Sequence, residues 1–268
     1  MAERYILDKI LKVGQSYVME ADKYMVIRAI GTDDTARVRA FVAGNLVGEF
    51  TNIVAPLHKT SSNLLGPLPL EDLYIVVPPN KTLYFDGTAG KKVRVIGYIY
   101  ELGPGEQMSA EHIARYGNQS KAYWTYLDDS VSVGTDVALS AGQEVEIKTY
   151  SPASIEKYLF SKVLMVGVSG GSFSEGDLAL RLYLDGKPLD LLSSEMGPHG
   201  IDVTALPRPP SDSTEETPFS LMDNPIQLDG DHRLKVVIVN TSGGSLAPTS
   251  GSSWQFTFTA PIKYIQTG

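Results

Sequence analysis

A serine set among glycines is the sequence feature closest to a catalytic motif. Residues 167–171 are Gly-Val-Ser-Gly-Gly, with Ser169 at the centre, and match the G-x-S-x-G pattern of a nucleophile elbow. That elbow needs a strand, a strained turn and then a helix, which together raise the serine above a parallel sheet. Here residues 172–177 have loop composition, and the next segment, 178–184, alternates as a strand. We therefore interpret the motif as a glycine-rich loop, and we predict no catalytic residue.

Histidine spacing does not indicate a metal centre. The four histidines are His58, His112, His199 and His232. None forms an H-E-x-x-H motif or a close pair, whereas zinc sites need such clustering. Asp202 and Asp229 each lie near a histidine in sequence, but within turns, where aspartate and glycine are expected for backbone reasons alone. We predict no metal site at the histidines.

Adjacent carboxylates are a second source of candidate chemistry. They occur at residues 33–34, 71–72 and 128–129. Neighbouring residues of a strand point to opposite faces, so we do not expect such pairs to converge on one substrate. The chain contains no D-x-[DN]-x-[DN]-G loop. A loosely bound calcium ion, held by loop carboxylates and carbonyls, stays open as an alternative, and no other cofactor is predicted.

An aromatic group is the strongest candidate for a binding surface. Tyr116, Tyr123, Trp124 and Tyr126 are concentrated in one short segment, beside Lys121. Tyrosine and tryptophan are amphipathic and anchor both protein interfaces and sugar platforms. The same side chains would also serve to join two domains. The three interpretations stay open, with a subunit interface favoured over a sugar platform.

Composition excludes several classes of protein. The 268-residue chain has a net charge of −8 and no basic stripe, so we expect no nucleic-acid partner. It has no cysteine, which excludes disulfides and thiolate chemistry. The first residues lack the apolar core of a signal peptide, and no apolar stretch is long enough for a membrane span. We therefore predict synthesis in the cytoplasm.

Short alternating segments indicate an all-β protein. They are rich in Val, Ile, Tyr and Phe and are separated by turn residues. Hairpin turns are predicted at residues 43–45, 86–87 and 185–186, and long loops at 56–69 and 197–218. The predicted strands are residues 15–19, 24–30, 37–43, 46–50, 73–77, 82–86, 92–102, 131–139, 143–150, 160–168, 178–184, 225–228, 234–240 and 254–265.

Two short segments have helical features. Ile6, Leu7, Ile10 and Leu11 have helical spacing and predict a short amphipathic N-terminal helix, or an arm that packs on a neighbouring subunit. After a Gly-Pro-Gly break at residues 103–105, Ser109 is predicted to cap a second short helix, which ends at Gly117.

The length of the chain favours two domains. We predict an N-terminal β-sandwich domain with its arm at residues 1–105, a linker with the second helix at 106–128, and a C-terminal β-sandwich domain at 129–268. The fold class is all-β, with two tandem antiparallel, jelly-roll-like sandwiches. Residues 83–87 echo 182–186, and 162–171 echo 235–244, but no fixed period emerges, so internal duplication stays open.

In its pattern of short strands and long loops, the chain resembles the β-sandwich and jelly-roll proteins of virus particles. These include capsid, decoration (cement) and tail proteins of bacterial and archaeal viruses. The resemblance lies in strands such as 92–102 and 254–265 and in the loops at 56–69 and 197–218. It implies a non-enzymatic virion protein, made in the host cytoplasm, that assembles with itself as a trimer or larger capsomer and with other virion proteins. The alternative is a module that binds host-surface glycan, as in a receptor-binding protein or adhesin, through the aromatic group or the 197–218 loop.

Overall fold

The computed structural model describes residues 3–59, 66–189, 200–206 and 225–267. Across these residues the chain is an all-β protein with a single α-helix, α1 (Ala110–Asn118), which is too short to cross a bilayer. The strands of the described ranges are β1 (Glu3–Lys12), β2 (Ser16–Val18), β3 (Lys23–Thr32), β4 (Val38–Val42), β5 (Asn45–Phe50), β6 (Leu68–Pro69), β7 (Ile75–Val77), β8 (Thr82–Asp86), β9 (Lys92–Glu101), β10 (Ala122–Ser132), β11 (Glu144–Tyr150), β12 (Glu156–Phe160), β13 (Met165–Ser169), β14 (Leu178–Leu184), β15 (Lys187–Pro188), β16 (Ile201–Asp202), β17 (Ile226–Asp229), β18 (Leu234–Asn240) and β19 (Gln255–Gln266).

The first compact unit takes in the described residues up to Tyr126, together with residues 263–266. One of its sheets has the order β1-β9-β3-β6, with β7 also beside β3, and the other has the order β2-β8-β4-β5. We count β6 and β7 as one interrupted strand. The first strand of the unit then pairs with the last, and each further pair lies closer to the middle of the sequence: β1 with β9, β2 with β8, β3 with β6 and β7, and β4 with β5. A long hairpin rolled up in this way, with eight strands in two sheets, is a jelly roll.

The second compact unit takes in described residues from Leu127 to Ile262, and Thr267. Its sheets have the orders β10-β19-β12-β17 and β11-β18-β14-β15, with β13 also beside β19 and β16 also beside β14. The outside-to-inside scheme is repeated: β10 pairs with β19, β11 with β18, β12 with β17, and β14 with β15. The second unit is therefore a jelly roll with the same strand order as the first.

The repeated strand order is not the one that the sequence echoes suggest. Residues 83–87 include the end of β8, and residues 182–186 include the end of β14. The two strands hold different positions, because β8 pairs with the second strand of its unit, β2, whereas in the second unit the strand that pairs with the second strand, β11, is β18 and not β14. The echo between 162–171 and 235–244 likewise joins β13 to β18, which are not equivalent.

The second unit has one hydrophobic core, to which both of its sheets contribute. From the β10 sheet come Phe160, Val166, Leu228, Phe256 and Phe258. From the β11 sheet come Ile147, Leu178, Leu180, Leu182, Val236 and Ile238. Because these residues form a single cluster, the two sheets pack face to face as a sandwich. Each fully buried Leu or Phe side chain contributes about 1.5–3 kcal/mol relative to an exposed one.

The first unit shows the period of two that a half-buried sheet requires. Alternate residues are buried along three of its strands, namely Val38, Ala40 and Val42 of β4, Leu83 and Phe85 of β8, and Val93 and Val95 of β9. Asp34 is also buried, and its carboxylate accepts hydrogen bonds from the N–H groups of Ala36 and Thr88 at 3.0 and 2.9 Å. Because these hydrogen bonds satisfy the Asp34 carboxylate, it can be buried in an otherwise apolar region.

The predicted N-terminal helix is wrong, because residues 3–12 form β1. This strand pairs with β9 along its whole length, from Glu3 opposite Glu101 to Lys12 opposite Lys92. A separation of four residues suits one helix face, but it is also two strand periods, so the spacing of the apolar residues fits both structures. In the strand, Leu7 and Leu11 are buried and Ile6 is exposed.

The structure tests the three predicted hairpin turns and the strand predicted at residues 131–139. Asp185-Gly186 forms the β14–β15 hairpin turn, with φ of 51° and 78°, as predicted. Residues 43–44 likewise turn β4 into β5. Residues 86–87 are not a hairpin turn, since β8 and β9 lie in different sheets. The strand predicted at 131–139 is shifted: β10 ends at Ser132.

Other predictions on the strands and loops have mixed outcomes. The segment 160–168 divides into β12 and β13. Most of the remaining predicted strands are present within one or two residues. Residues 60–65 of the predicted loop 56–69, and residues 197–199 and 207–218 of the loop 197–218, lie outside the described residues. Within 200–206 the chain forms β16 and a short 3-10 helix, Val203–Ala205.

The second predicted helix is confirmed as α1. The Ser109 hydroxyl accepts the backbone N–H of His112 at 3.2 Å, which is an N-cap, and Glu111 lies in the first turn. The helix ends at Asn118, one residue beyond the predicted end. The predicted domain limits at residues 105 and 128 stay a prediction, because compactness does not show that a unit folds on its own.

Candidate interaction surface

Trp124 and Tyr126, two members of the predicted aromatic group, are buried in the first unit. Trp124 is 1% exposed, and its Nε1 donates a hydrogen bond to the Leu70 carbonyl oxygen at 2.8 Å. The Lys263 ammonium lies 5.2 Å from the centroid of the same indole, within cation–π range. The Arg37 guanidinium lies 4.6 Å from the Tyr126 ring centroid. These contacts make both side chains part of the fold of this unit.

Tyr116 and Tyr123 are half-buried and are the accessible members of the group. Tyr123 lies on the face of β10 opposite to Trp124 and Tyr126, because successive strand residues alternate. Its ring centroid lies 4.9 Å from that of Tyr264. The four aromatic residues therefore do not share one face. Their role as an interface or a sugar platform stays a prediction, and Tyr116 and Tyr123 are the side chains that a partner reaches first.

The carboxylates of Glu71 and Asp72 converge, contrary to the expectation from strand geometry. Both form ion pairs with Lys263, at 3.2 Å for Glu71 and 2.6 Å for Asp72. The reason is local, since the two residues lie in a short 3-10 helix, Glu71–Leu73, and not in a strand. Their common partner is the lysine that also covers the Trp124 ring. This pair therefore supports the fold around the indole.

The Asp128–Asp129 pair behaves as predicted for strand neighbours. Asp128 accepts a hydrogen bond from the Thr259 hydroxyl at 2.8 Å, whereas Asp129 accepts one from the Tyr150 hydroxyl at 3.0 Å. Burial, followed by the nearby charge of Asp129, raises the pKa of Tyr150 well above its ordinary value. Tyr150 is thus a neutral donor that holds Asp129. The two carboxylates have separate partners and do not form a joint site.

A cluster around His112 is the feature that sequence reasoning missed. His112 is 6% exposed, and its Nδ1 lies 3.1 Å from the Tyr24 hydroxyl oxygen. The rings of Tyr24, Tyr74 and Tyr100 surround it, with centroids 5.5, 5.8 and 5.3 Å away. Burial lowers the pKa of His112, so the imidazole is neutral near pH 7. The predicted helix α1 gave one sequence signal, but Tyr24 and Tyr100 come from the distant strands β3 and β9, and Tyr74 from the segment that directly precedes β7.

Tyr74 connects this cluster to α1. Its hydroxyl donates to the Glu111 carboxylate at 2.7 Å, and Arg115 donates to the Tyr74 carbonyl oxygen at 2.8 Å. Burial and the Glu111 carboxylate raise the pKa of Tyr74 to about 12. The Arg28 guanidinium stacks on the ring, 3.9 Å from its centroid. Every polar group named here has a partner, which indicates a structural role for the cluster.

The remaining histidines are dispersed. His58 is exposed, and His199 lies outside the described residues. His232 contacts two aspartates, Asp185 at 2.6 Å and Asp229 at 3.7 Å. Within the described ranges, no three His, Cys, Asp or Glu side chains are grouped so that they could hold a metal ion. The predicted alternative of a loosely bound calcium ion stays untested.

Ser169 is the last residue of β13 and is exposed. Its strand pairs antiparallel with β19, Ser169 opposite Gln255, and Gly170 follows with φ of 95°. The chain then forms a loop that leads to β14. A nucleophile elbow requires a helix directly after the turn. The geometry around Ser169 matches the predicted glycine-rich loop between strands.

The free edge of β1 is the most exposed apolar feature of the first unit. In the described part of the chain, β1 is paired only with β9, so its other edge is open. Ile6 is 85% exposed and Ile10 is 55% exposed. Arg94 of β9 holds Asp8 through two hydrogen bonds, at 2.8 and 2.7 Å, and lowers its pKa. Long exposed strand edges are places where a sheet can gain a further strand.

No family model matches the chain, and no curated protein matches it. Among solved structures, it is similar to the STIV MCP, with 8% identity over 99% of this chain and 97% of that chain and a TM-score of 0.35. The major capsid protein P2 from Bacteriophage PM2 is 11% identical over 97% of this chain and 97% of that chain, with a TM-score of 0.26. The structure of infectious bursal disease virus, Gx strain, is 10% identical over 99% of this chain and 82% of that chain, with a TM-score of 0.22.

These three neighbours are viral capsid proteins, the class that the sequence texture resembles. With identities of 11% or lower and TM-scores of 0.35 or lower, they assign neither a family nor a function to this chain.

Proposed function

We propose that this chain is a non-enzymatic structural protein of virus particles, which assembles with itself and with other virion proteins. The observation that carries the proposal is the strand order of the two units. In the described residues each unit has the four strand pairs of an eight-strand jelly roll, with β13 and β16 as additional strands in the second, and the two units follow one another along the chain. Eight-strand jelly rolls form viral capsid domains, lectin domains and cupins.

The open edge of β1 favours self-association of the protein over a monomeric state in solution. A long strand edge without a proline, a bulge or a covering segment presents backbone N–H and C=O groups that can pair with another chain. Here Ile6 and Ile10 are exposed along ten residues of strand. Most homo-oligomers have closed point-group symmetry, so we expect a closed oligomer. A trimer is what the resemblance to proteins of virus particles implies. Shell, decoration and tail roles all fall within this proposal, and the virion is the corresponding location.

The solution mass of the purified protein tests the assembly. We expect multi-angle light scattering to give a defined oligomer, or particles, as the concentration rises from micromolar to near-millimolar. Electron microscopy of the same sample then gives the symmetry. A monomer at every concentration would overturn the proposal of self-assembly.

The non-enzymatic part of the proposal has its own test. Ser169 is the one residue with a catalytic sequence pattern, and its hydroxyl lies at the end of an antiparallel strand. We expect no ester or peptide turnover by the wild-type protein above the level of a Ser169→Ala variant. Turnover that this substitution abolishes would contradict the proposal.

A carbohydrate-binding module is the second candidate. Lectin domains share the jelly-roll fold, and Tyr116 and Tyr123 remain partly exposed, as a sugar platform requires. A glycan array on the wild-type protein tests it, with Tyr123→Ala as the variant and Tyr5→Ala as a control on another sheet. Specific binding that only the Tyr123 substitution removes favours this candidate. Trp124→Ala is unsuitable for this purpose, because Trp124 is buried.

A further inference from the structure

The open edge of β1 presents the backbone groups of alternate residues. Val13 N–H donates to the Lys91 carbonyl oxygen on the β9 side, whereas Lys12 N–H donates to the Tyr17 hydroxyl, away from β9. The N–H and C=O of one strand residue point to the same side, and the side alternates along the strand. The even-numbered residues of β1, including Arg4, Ile6, Asp8 and Ile10, therefore direct their backbone groups to the open edge.

The side chains of β1 carry charges in a self-complementary order. The strand is Glu-Arg-Tyr-Ile-Leu-Asp-Lys-Ile-Leu-Lys over residues 3–12. Around Ile6, an acidic residue three positions before it matches a basic residue three positions after it. A basic residue two positions before it matches an acidic residue two positions after it. Two such strands placed antiparallel about Ile6 therefore bring opposite charges together.

We propose that β1 pairs antiparallel with β1 of a second copy of this chain, in the register that places Ile6 opposite Ile6 on a two-fold axis. In this register Glu3 faces the partner's Lys9 and Arg4 faces the partner's Asp8. Two-fold symmetry repeats each contact, so four opposite-charge pairs form. The exposed Ile6 side chains meet at the centre and leave water. The two edges also exchange the backbone hydrogen bonds that each lacks in the single chain.

The alternation of backbone groups restricts the register. Two edges can bond only if even-numbered residues face even-numbered residues, so the two-fold axis must pass through a residue. Pairing about Leu7 places Arg4 opposite Ile10 and Ile6 opposite Asp8, and forms no ion pair. Pairing about Asp8 places this aspartate opposite itself, with Arg4 opposite Lys12. Like charges directly opposite each other are destabilising. Pairing about Ile10 joins Asp8 to the partner's Lys12, but it forms only two opposite-charge pairs over a shorter overlap, so the register about Ile6 forms the most ion pairs.

On the outer face of the sheet, Asp8 and Arg4 are already oriented by contacts within the chain. Asp8 is held by the Arg94 guanidinium at 2.8 and 2.7 Å, and the Arg4 guanidinium lies 4.7 Å from the Tyr98 ring centroid. Both side chains are thus directed along the outer face of β1 and β9 before any partner arrives. The incoming Arg4 adds a second cation to an aspartate that is already ionised and oriented.

The β1 contact is one contact of the self-association in the proposed function, and it forms whether or not the assembly is a virus particle. A two-fold contact is isologous, so it links two copies and is compatible with a different contact that closes a ring.

A single introduced cysteine tests the register, since the chain has none of its own. In the proposed dimer the two residues at position 6 form a hydrogen-bonded pair with Cα atoms about 5.5 Å apart, which suits a disulfide. We expect Ile6→Cys to form a disulfide-linked dimer under mild oxidation. The matched control is Ile10→Cys, also exposed, whose two copies lie about 26 Å apart along the paired strands. Equal cross-linking of both variants, or none for Ile6→Cys, overturns the register.

A charge exchange tests the partner without a cysteine. Glu3→Lys places lysine opposite Lys9, and Lys9→Glu places glutamate opposite Glu3, so each should weaken dimerisation by about tenfold. The double variant Glu3→Lys/Lys9→Glu restores opposite charges and should recover the wild-type dissociation constant in sedimentation equilibrium. Lys12→Glu is the control, because residue 12 has no opposite residue in this register. Additive loss in the double variant overturns the proposal.

Failure of this inference can be separated from failure of the proposed function. If the wild-type protein forms large closed assemblies and Ile6→Cys gives no link, the β1 contact is wrong and the assembly proposal stands. If Ile6→Cys gives a linked dimer and the wild-type protein forms nothing larger than a dimer at any concentration, the β1 contact stands and assembly of the protein alone into a ring or particle falls.

Discussion

Asp185 Oδ2 lies 2.6 Å from His232 Nδ1, so the turn between β14 and β15 is tied to the residue that precedes β18 by two positions. Asp185 also accepts the backbone N–H of Arg233 at 2.9 Å. The hydrogen bond and charge of Asp185 raise the pKa of His232, and Asp229 and Asp231 act in the same direction. The Arg233 N–H, and then His232, lower the pKa of Asp185.

The pair should make stability depend on pH. A histidine with a raised pKa stabilises the fold fully below its ordinary value of about 6.5, and this contribution is lost as pH rises through the raised pKa. Asp185, whose pKa is lowered, contributes above its ordinary value and loses that contribution as pH falls through the lowered pKa. We expect His232→Asn, which keeps a donor but cannot be protonated, to reduce the free energy of unfolding more at about pH 5.5 than at about pH 9.

Urea unfolding of the two proteins at both pH values measures this difference, with His58→Asn as the control for loss of an exposed histidine. An equal loss at the two pH values would show that the ion pair does not contribute.

Trp124 should be one of the most sensitive positions of the first unit. Trp124→Ala removes a buried indole and is expected to cost about 3–5 kcal/mol of unfolding free energy. Trp124→Phe keeps an aromatic ring but leaves the Leu70 carbonyl oxygen without its donor, and should cost about 1–3 kcal/mol. Urea denaturation monitored by circular dichroism measures both. The half-buried Tyr116, replaced by alanine, is the control, and a cost for Trp124→Ala no larger than this control contradicts the burial described above.

Two glycines should respond to alanine in opposite directions. A Cβ on Gly97, in the middle of β9, would overlap the carbonyl oxygen of Val26 in β3, beside the bulge between Ile27 and Ala29. Because backbone must shift to make room, we expect Gly97→Ala to cost about 1–3 kcal/mol. A Cβ on Gly117, inside α1, meets no atom within 4 Å.

Gly117→Ala should therefore stabilise the protein by about 0.5–1 kcal/mol, through helix propensity. Thermal and urea unfolding of both variants give the two signs. No loss of stability in Gly97→Ala would contradict the close approach of β3 and β9, and a loss in Gly117→Ala would contradict the open space at that helix position.

The cap of α1 offers a smaller effect. Ser109→Ala removes the acceptor for the His112 N–H and should cost about 1 kcal/mol, whereas Ser109→Asp should retain most of the stability. Ser120→Ala, just beyond the helix, is the matched control. If Ser109→Ala and Ser120→Ala have equal unfolding midpoints, the cap does not support the helix.

Local pattern was sufficient wherever one face of a strand is buried and its ends carry turn residues. β14 was predicted with its observed limits because its leucines alternate and Asp185-Gly186 follows. The limits of β8 were also predicted, for the same reason. The cap at Ser109 was predicted because its hydrogen bond is to a residue only three positions away.

Local pattern failed where a distant partner decides. The apolar spacing of residues 6–11 fits a helix and a strand equally, and the choice was made by pairing with β9, about ninety residues later, as in Leu7 opposite Gly97. The sequence left the aromatic group open as an interface, a sugar platform or a join between two domains, and only the fold shows that Trp124 and Tyr126 are buried on one face of β10 and Tyr123 lies on the other.

The candidate site shows the same division. The order of charges in residues 3–12 can be read from the sequence. It predicts a contact only once these residues are known to form a strand with an open edge. Likewise, His112 could be placed on a helix from sequence, and only the fold brings Tyr24, Tyr74 and Tyr100 around it.

By itself, the sequence determined that the chain is all-β, that most of its strands lie where period and turn residues place them, and that one short helix begins after Ser109. The tertiary structure alone decided that these strands roll into two jelly rolls of equal order, which edges stay open, and which aromatic side chains are buried. The physical reason is range: backbone conformation follows from neighbours a few residues apart, whereas sheet pairing and burial depend on contacts between segments far apart in the chain.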